Sequence, residues 1–108
     1  MSKADTTSAS GQWHLYVLEC RDGALYTGIS NDVARRYAAH LAGKGARYTR
    51  INPPQRIALI HPFADKSQAL KAEYAFKRLS AAAKRQLVAH GDLRDWLAER
   101  TAPPEPAQ

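Results

Sequence analysis

Two short segments near the start of the chain are rich in aromatic and branched apolar side chains, and this pattern predicts two β-strands. The segments are residues 13–20 and residues 25–29, and Asp22-Gly23 lies between them. Glycine adopts the positive φ that tight hairpins require, so this connection is predicted to be a turn. The two strands are therefore expected to pair as an antiparallel hairpin.

The length of the turn decides whether the two tyrosines of this hairpin lie on the same face of the sheet. With a two-residue turn, Tyr16 would lie opposite residue 29 and Tyr26 opposite residue 19, so the phenols would point to opposite faces. A three-residue turn would place both phenols on one face. Joint action of the two tyrosines therefore requires a turn with an odd number of residues, or a bulge in one strand.

A helix is predicted to follow the hairpin and to end at the glycines of residues 43–45. Ser30 and Asn31 are both favourable N-cap residues, and Asp32 suits the positive end of the helix dipole in the first turn. Apolar residues that recur every four positions predict its buried stripe. These residues are Val33, Tyr37 and Leu41.

Residues 46–55 contain two consecutive prolines and are expected to form a loop. Residues 56–63 then predict a third strand. The apolar run at residues 57–60 is nearly continuous, which indicates that this strand is covered on both faces.

Three further helices are predicted downstream. Asp65 with Gln68 resembles a capping box for the first, while Ser80 caps the second and Gly91 ends it. The predicted helices span residues 66–79, 81–89 and 93–100. The first of them carries the apolar stripe Ala69, Ala72, Phe76 and Leu79.

These elements predict an α+β fold, in which a three-stranded antiparallel sheet is flanked by helices. The length of 108 residues suits one domain with a modest core, and no apolar run is long enough to span a membrane. The expected division is a disordered leader, one domain, a short extra helix and a disordered tail. Their bounds are residues 1–11, 12–91, 92–100 and 101–108.

Composition indicates the redox environment of the protein and the class of its partner. The single cysteine, Cys20, cannot form an internal disulfide, and no Cys/His spacing suits a structural zinc site, so a reducing, cytoplasmic setting is expected. The formal net charge is +6, and residues 23–50 and 71–85 each contain five Lys or Arg against one acidic residue. This basic middle section favours a polyanionic partner, although a solvated pair of helices would show the same pattern.

Five residues could together hydrolyse a phosphodiester, namely Tyr16, Tyr26, Arg36, His40 and Glu73. The reaction needs a group that accepts a proton from water, a cation that stabilises charge on the phosphate, and a metal or acid for the leaving oxygen. Glu73 can hold one Mg²⁺-like ion, and Arg36 can bind two phosphate oxygens at once. A tyrosine hydroxyl can accept the proton if neighbouring cations lower its pKa.

Each of these residues also has a purely structural interpretation. The tyrosines could pack within the strands, and Arg36 and His40 could be ordinary helix cations. Glu73 could pair with Lys77, which follows at the favourable spacing of four residues. No combination of residues supports a Ser/His/Asp or a Cys/His arrangement.

Taken together, residues 13–90 resemble a GIY-YIG nuclease domain, in particular the small stand-alone bacterial members. The segment Leu15-Tyr16-Val17 matches the first triplet of the signature, and Tyr26-Thr27-Gly28 matches the second. Residues 31–40 match the helix with Asp-x-x-x-Arg, and residues 69–74 match the later helix that carries the glutamate.

Two positions depart from the pattern of this family. His14 stands where the first glycine of the name motif is expected, as often happens in the stand-alone members. Many family enzymes use an asparagine late in the domain, and the chain has none after Asn52.

The resemblance implies a small α/β sandwich with one divalent ion, either Mg²⁺ or Mn²⁺. It implies that Glu73 ligates this metal and that Arg36 stabilises the scissile phosphate. Tyr16 and Tyr26 would position or activate the water, and His40 matches a position that assists in some members.

We therefore expect a metal-dependent endonuclease that acts on nucleic acid, with DNA favoured over RNA, in DNA repair or processing. Contacts to the phosphate backbone position a substrate without reading its bases, so recognition is expected to be structure- or backbone-directed and to weaken with salt. The alternative is a catalytically weak or inactive nucleic-acid-binding module that keeps the fold. The oligomeric state stays open. The expected nucleic-acid contacts are Arg35, Lys44, Arg47, Arg50, Lys84 and Arg85.

Overall fold

A three-stranded antiparallel sheet with the strand order β2-β1-β3 forms the centre of the molecule. The computed structural model describes residues 12–101. The strands are β1 (Trp13–Cys20), β2 (Leu25–Ser30) and β3 (Pro54–Phe63). The predicted α+β class with a three-stranded antiparallel sheet is confirmed. The predicted leader, and all of the predicted tail except Thr101, lie outside the described residues.

Helices flank this sheet on both sides. They are α1 (Val33–Leu41), α2 (Arg47–Ile51), α3 (Lys66–Lys77), α4 (Ala81–His90) and α5 (Arg94–Thr101). Asp65 caps α3 by accepting a hydrogen bond from the Gln68 N–H, and Ser80 caps α4 in the same way. No helix within residues 12–101 has the length and apolar character needed to cross a bilayer.

The hairpin turn has three residues, so the two tyrosines share a face. Tyr16 lies opposite Gly28, and Leu18 lies opposite Tyr26. The Gly23 N–H donates to the Cys20 carbonyl at 2.8 Å, and Gly23 adopts a φ of 88°, which allows the chain to turn back after three residues. The condition for joint action of Tyr16 and Tyr26 is thereby met.

The central strand β1 is buried on both faces, which divides the core into two layers. Leu15 and Val17 pack on the odd face of β1, where Phe76 of α3 and Leu93 complete the buried cluster. Tyr16 and Leu18 pack on the even face with Val33 of α1. The candidate tyrosines therefore belong to the layer that α1 covers. The odd-face layer is the one that α3, α4, α5 and the residue Leu79 between α3 and α4 cover. The helical residues are Phe76, Leu87, Val88, Trp96 and Leu97.

The last helix is part of this core. Leu93 is fully buried, and the Trp96 ring packs edge-on against Phe76 with 5.9 Å between the ring centroids. Residues 92–100, expected as a short extra helix, therefore stabilise the odd-face layer.

Three local expectations were wrong. Ser30 is the last residue of β2 and its hydroxyl accepts from the Asp32 N–H, so Asp32 rather than Ser30 or Asn31 caps α1. The buried residues of α1 are Val33 and His40. Leu41, which was predicted to lie in the buried stripe, is 54% exposed. Residues 46–55, predicted as a loop, contain the short helix α2.

The third strand is longer and less covered than its apolar run indicated. It begins at Pro54, which an edge strand tolerates because its outer N–H groups need no partner in the sheet. Leu59 is buried, but Ile60 is 43% exposed. The strand lies at the edge of the sheet, since it pairs with β1 alone. Coverage on both faces is thus incomplete.

Candidate active site

The phenol of Tyr16 lies across β2, in space that a glycine leaves free. Tyr16 is fully buried and lies opposite Gly28. A Cβ atom on Gly28 would lie 2.6 Å from the Tyr16 hydroxyl oxygen and 2.7 Å from Cζ. Any other residue at position 28 would therefore displace the phenol, which explains the glycine in the Tyr-x-Gly triplet.

His40 is the hydrogen-bonding partner of this phenol. The Tyr16 hydroxyl oxygen lies 3.0 Å from His40 Nε2, and the imidazole is 1% exposed. Its other nitrogen, Nδ1, lies 2.7 Å from the Thr49 hydroxyl. A Cβ atom on Gly45 would lie 2.7 Å from His40 Cγ, so the backbone there approaches the ring closely. His40 is thus a buried, hydrogen-bonded group whose pKa is lowered by burial, and its interpretation as an ordinary helix cation is wrong.

Tyr26 completes an aromatic cluster around His40. Its ring meets the imidazole edge-on, with 5.2 Å between the centroids. On α2, Tyr48 stacks on Tyr26 with an interplanar angle of 10° and a centroid distance of 6.4 Å. Tyr48 is 43% exposed, so the cluster extends from the buried Tyr16 hydroxyl to the surface.

Arg36 brings a positive charge to this cluster from α1, one turn before His40. Burial raises the pKa of Tyr16, and a hydrogen bond from the exposed Arg36 opposes that increase without reversing it. The condition that cations lower the pKa of a tyrosine is therefore not met at Tyr16, because burial outweighs the effect of Arg36. Burial, with the nearby Arg36 charge, also lowers the pKa of His40. The uncharged forms of both residues are thus favoured, and a guanidinium lies beside them.

Glu73 reaches the same site from α3. Its charge contributes to the raised pKa of Tyr16, so the carboxylate lies within electrostatic range of the phenol. Its side chain is 18% exposed, and one oxygen lies 3.2 Å from Lys77 Nζ. The predicted pair with Lys77 is therefore present, and it coexists with the approach to Tyr16.

The donor set around Glu73 bears on which metal the site could hold. Within residues 12–101, no group of three or more His, Cys, Asp or Glu side chains is arranged to hold a metal. Mg²⁺ and ions like it often bind through one or two carboxylates and keep several waters, whereas a structural zinc ion needs four protein ligands. A single, partly exposed carboxylate fits the hydrated type of ion.

The basic residues divide into two groups. Lys44, Arg47 and Arg50 are exposed on and beside α2, next to Tyr48, while Arg35 is exposed on α1. Arg85, by contrast, donates to the Gly23 carbonyl at 2.5 Å and ties α4 to the hairpin turn, with Lys84 beside it. Lys44, Arg47 and Arg50 therefore lie beside the aromatic cluster. Lys84 and Arg85 lie at the hairpin turn.

Three residues shape the site through contacts that were not predicted, and these are Gly45, Tyr48 and Thr49. All three fall at the end of α1 or in the segment predicted as a loop. Apolar periodicity carries no signal for contacts of this kind, because each one depends on how α2 folds back against α1. Of the three, only Gly45 had been assigned a role from the sequence, which was to end a helix.

Buried histidines make the stability of this protein sensitive to mild acid. Burial lowers the pKa of His14, His40 and His61 below the usual value near 6.5. The unfolded chain therefore takes up more protons as the pH falls below 6.5, and each histidine then lowers the free energy of unfolding by up to about 1.4 kcal/mol per pH unit. We expect urea unfolding curves to shift to lower midpoints between about pH 6.5 and 5. A midpoint that stays constant over this range would contradict the expectation.

Comparison with known proteins shows similarity to one family over most of the chain. The family model described as the GIY-YIG catalytic domain matches residues 12–86. A UPF0213 protein of Xanthomonas axonopodis pv. citri is 56% identical over 72 residues, covering 67% of this chain and 71% of the relative. A UPF0213 protein of Cupriavidus pinatubonensis is 57% identical over 77 residues, covering 71% and 86%.

Among solved structures, similarity is found to the solution NMR structure of a UPF0213 protein from Bacillus halodurans. The two chains are 40% identical, and the match covers 89% of this chain and 99% of the other at a TM-score of 0.49.

Proposed function

This chain belongs to the GIY-YIG family, and on that basis we propose that it is a divalent-metal-dependent endonuclease that hydrolyses phosphodiester bonds in nucleic acid. The family carries a nuclease-type catalytic domain. The observation that supports activity in this chain is that four residues from β1, β2 and α1 lie in one cluster. Tyr16 and Tyr26 come from the hairpin, while Arg36 and His40 come from α1, with Glu73 within electrostatic range.

Tyr16 and His40 provide a path for the proton that the attacking water must lose. The phenol keeps its proton at neutral pH, because the ordinary tyrosine pKa lies near 10 and burial raises it further. It can accept a proton from water only as it passes its own proton on, and His40 Nε2 lies 3.0 Å away to receive it. Water thus becomes the nucleophile, Tyr16 ends the step unchanged, and His40 becomes the imidazolium.

Arg36 is suited to the negative charge that builds on the phosphate. Its guanidinium is exposed, remains charged, and can donate to two phosphate oxygens at once. Because Arg36 also lies beside the Tyr16 hydroxyl, a phosphate bound to it would lie next to the water that this phenol activates. Tyr26 would hold that water from the second strand.

Glu73 is the residue proposed to hold the metal. A divalent ion bound there would supply positive charge for the phosphate and the leaving oxygen. The carboxylate is well placed for this because its side chain is partly exposed on α3 and still lies within electrostatic range of Tyr16. Lys77 neutralises Glu73 in the free protein and would have to release it when the ion binds.

The exposed basic group beside α2 is the proposed contact surface for the substrate. Lys44, Arg47 and Arg50 would bind backbone phosphates, which positions a nucleic acid without reading its bases. We therefore propose structure- or backbone-directed recognition, DNA as the substrate, and a role in repair or processing. Arg85 is engaged with the hairpin carbonyl, and we place it and Lys84 outside this surface.

The adjacent arginines of α1 test the proposal with a matched pair of variants. Arg36→Ala is expected to lower kcat by about 100- to 1,000-fold, as removal of a donor to the developing charge does in other enzymes. Arg35→Ala has the same change of charge on the same helix, and we expect it to alter cleavage by about threefold or less. The assay is cleavage of labelled duplex, branched, nicked and single-stranded DNA, and the matching RNAs, with Mg²⁺ or Mn²⁺.

Equal effects of the two substitutions would show that Arg36 acts only through general attraction for polyanions. Salt-sensitive binding with no cleavage of any substrate would instead identify a binding module that keeps the fold.

A further inference from the structure

We propose that Thr49 is a positioning residue that holds His40 in the one neutral tautomer able to accept the proton of Tyr16. For its catalytic consequence, this inference rests on the nuclease function proposed above. The hydrogen-bonding arrangement itself does not depend on that function. It follows from three contacts that link Tyr16 to the backbone of α2 through His40 and Thr49.

The contact between Thr49 and the backbone fixes the direction of this chain of hydrogen bonds. The Thr49 hydroxyl oxygen lies 2.9 Å from the Ala46 carbonyl oxygen. A carbonyl oxygen can only accept, so the single hydroxyl proton of Thr49 must point towards Ala46. Thr49 is 1% exposed, so its hydroxyl is held within the protein.

The tautomer of His40 follows from that direction. Because the Thr49 hydroxyl donates its proton to the Ala46 carbonyl, its oxygen can only accept a hydrogen bond from His40 Nδ1, which lies 2.7 Å away. Nδ1 must therefore carry the hydrogen. A neutral imidazole has one N–H, so Nε2 presents a lone pair. The Tyr16 hydroxyl, 3.0 Å from Nε2, is then the donor, and its proton already points along the path that catalysis requires.

Burial supports the neutral state on which this argument depends. His40 is 1% exposed, and burial lowers its pKa. The neighbouring Arg36 charge acts in the same direction. In the opposite tautomer, Nε2 would carry the hydrogen and could not receive a proton from Tyr16.

The segment that carries Thr49 is built to bring its hydroxyl to the imidazole. Gly45 lets the backbone pass close to the His40 ring, as the lack of room for a Cβ there shows. Ala46 then caps α2, and Thr49 lies one turn later with its hydroxyl folded back onto the Ala46 carbonyl. The short helix α2 thus supplies the acceptor that selects the tautomer.

Two substitutions at Thr49 separate hydrogen bonding from packing. Thr49→Val keeps the branched shape but removes the hydroxyl, and we expect kcat to fall by about 10- to 100-fold, the range typical for loss of a supporting hydrogen bond. The KM should change by about twofold or less, because Thr49 supports His40 and is not proposed to bind substrate. Thr49→Ser keeps the hydroxyl and should retain kcat within about threefold.

The tautomer itself is measured by two-bond ¹H–¹⁵N NMR correlation of the histidine rings in the full chain, above neutral pH. We expect wild type and Thr49→Ser to show His40 protonated at Nδ1, and Thr49→Val to shift His40 towards the Nε2–H form. Protonation at Nε2 in wild type would overturn the inference, whether or not the chain cleaves nucleic acid. So would an unchanged Nδ1–H form in Thr49→Val.

The NMR measurement keeps this inference distinct from the nuclease proposal. The expected tautomers together with no cleavage by any variant would refute the proposed function and leave the assignment of Thr49 as the tautomer-selecting residue supported. If Thr49→Val does not fold, the tautomer seen in wild type and in Thr49→Ser still decides the direction of the hydrogen bonds.

Discussion

Replacing Glu73 with Gln is expected to reduce metal-dependent cleavage by about 1,000-fold or more. A bound divalent ion contributes several kcal/mol of charge stabilisation, and about 1.4 kcal/mol corresponds to tenfold in rate. Within the described residues 12–101, Glu73 belongs to no cluster of three metal-ligating side chains, so few neighbours can replace it. The amide keeps the shape of the side chain but lacks the charge that binds the ion. The measurement is single-turnover cleavage across a titration of Mg²⁺ and Mn²⁺.

The matched control for this variant is Lys77→Gln. Lys77 Nζ pairs with Glu73 at 3.2 Å, so both substitutions break the same ion pair, but only one removes the carboxylate. The pair is partly exposed, and helix pairs at this spacing contribute about 0.5 kcal/mol to stability, so neither variant should unfold. We expect Lys77→Gln to keep cleavage and to require less metal, since the ammonium no longer competes for Glu73. Cleavage that survives in Glu73→Gln would remove Glu73 from the site.

The features that could be predicted are those whose interacting residues lie close together in the sequence. The hairpin, its tyrosines and the capped helices α3 and α4 depend on local signals, and these signals were read correctly. Asp65 and Ser80 cap helices through hydrogen bonds to residues only three positions away. The three-residue turn could be stated only as a condition, because the residues around Gly23 are compatible with more than one loop length.

The contacts that sequence reasoning could not supply are tertiary. His40 was a candidate catalytic residue with an alternative interpretation as a helix cation. Its burial could not be predicted, because it depends on α2, which lies in a segment with no apolar period. The direction of the Tyr16 pKa shift could not be predicted either, because the burial that outweighs the Arg36 charge depends on tertiary structure. Burial of a polar group is set by the elements that cover it, and these come from distant parts of the chain.

The central position of β1 connects the stability of the fold with the geometry of the site. Alternate residues of this strand pack in opposite layers of the core. Leu15 and Val17 pack with Phe76 on one face, and Tyr16 packs on the other. A strand fixed from both sides leaves its side chains little freedom to shift. The phenol is thereby held against Gly28 and His40 before any substrate binds, and such preorganisation lowers the cost of reaching the reactive geometry.

Replacing Tyr16 with Phe should separate this structural role from the chemical one. The ring is kept, so packing on the even face survives, but the atom that accepts the proton from water and donates to His40 is lost. We expect kcat to fall by about 100- to 10,000-fold, the range that a positioned proton-transfer group contributes. His40 Nε2 would lose its donor in a buried position, so the free energy of unfolding should also fall by about 1–3 kcal/mol.

Tyr37 provides the control, because it belongs to the same apolar cluster as Tyr16 but has no assigned part in the reaction. Tyr37→Phe should keep cleavage within about threefold of wild type, as expected for a residue that contributes packing alone. Single-turnover rates and urea unfolding measured on both variants distinguish the possible outcomes. A Tyr16→Phe protein that folds and cleaves at the wild-type rate would mean that the water loses its proton elsewhere. The hydrogen bond between Tyr16 and His40 would then serve only to hold β1 against α1.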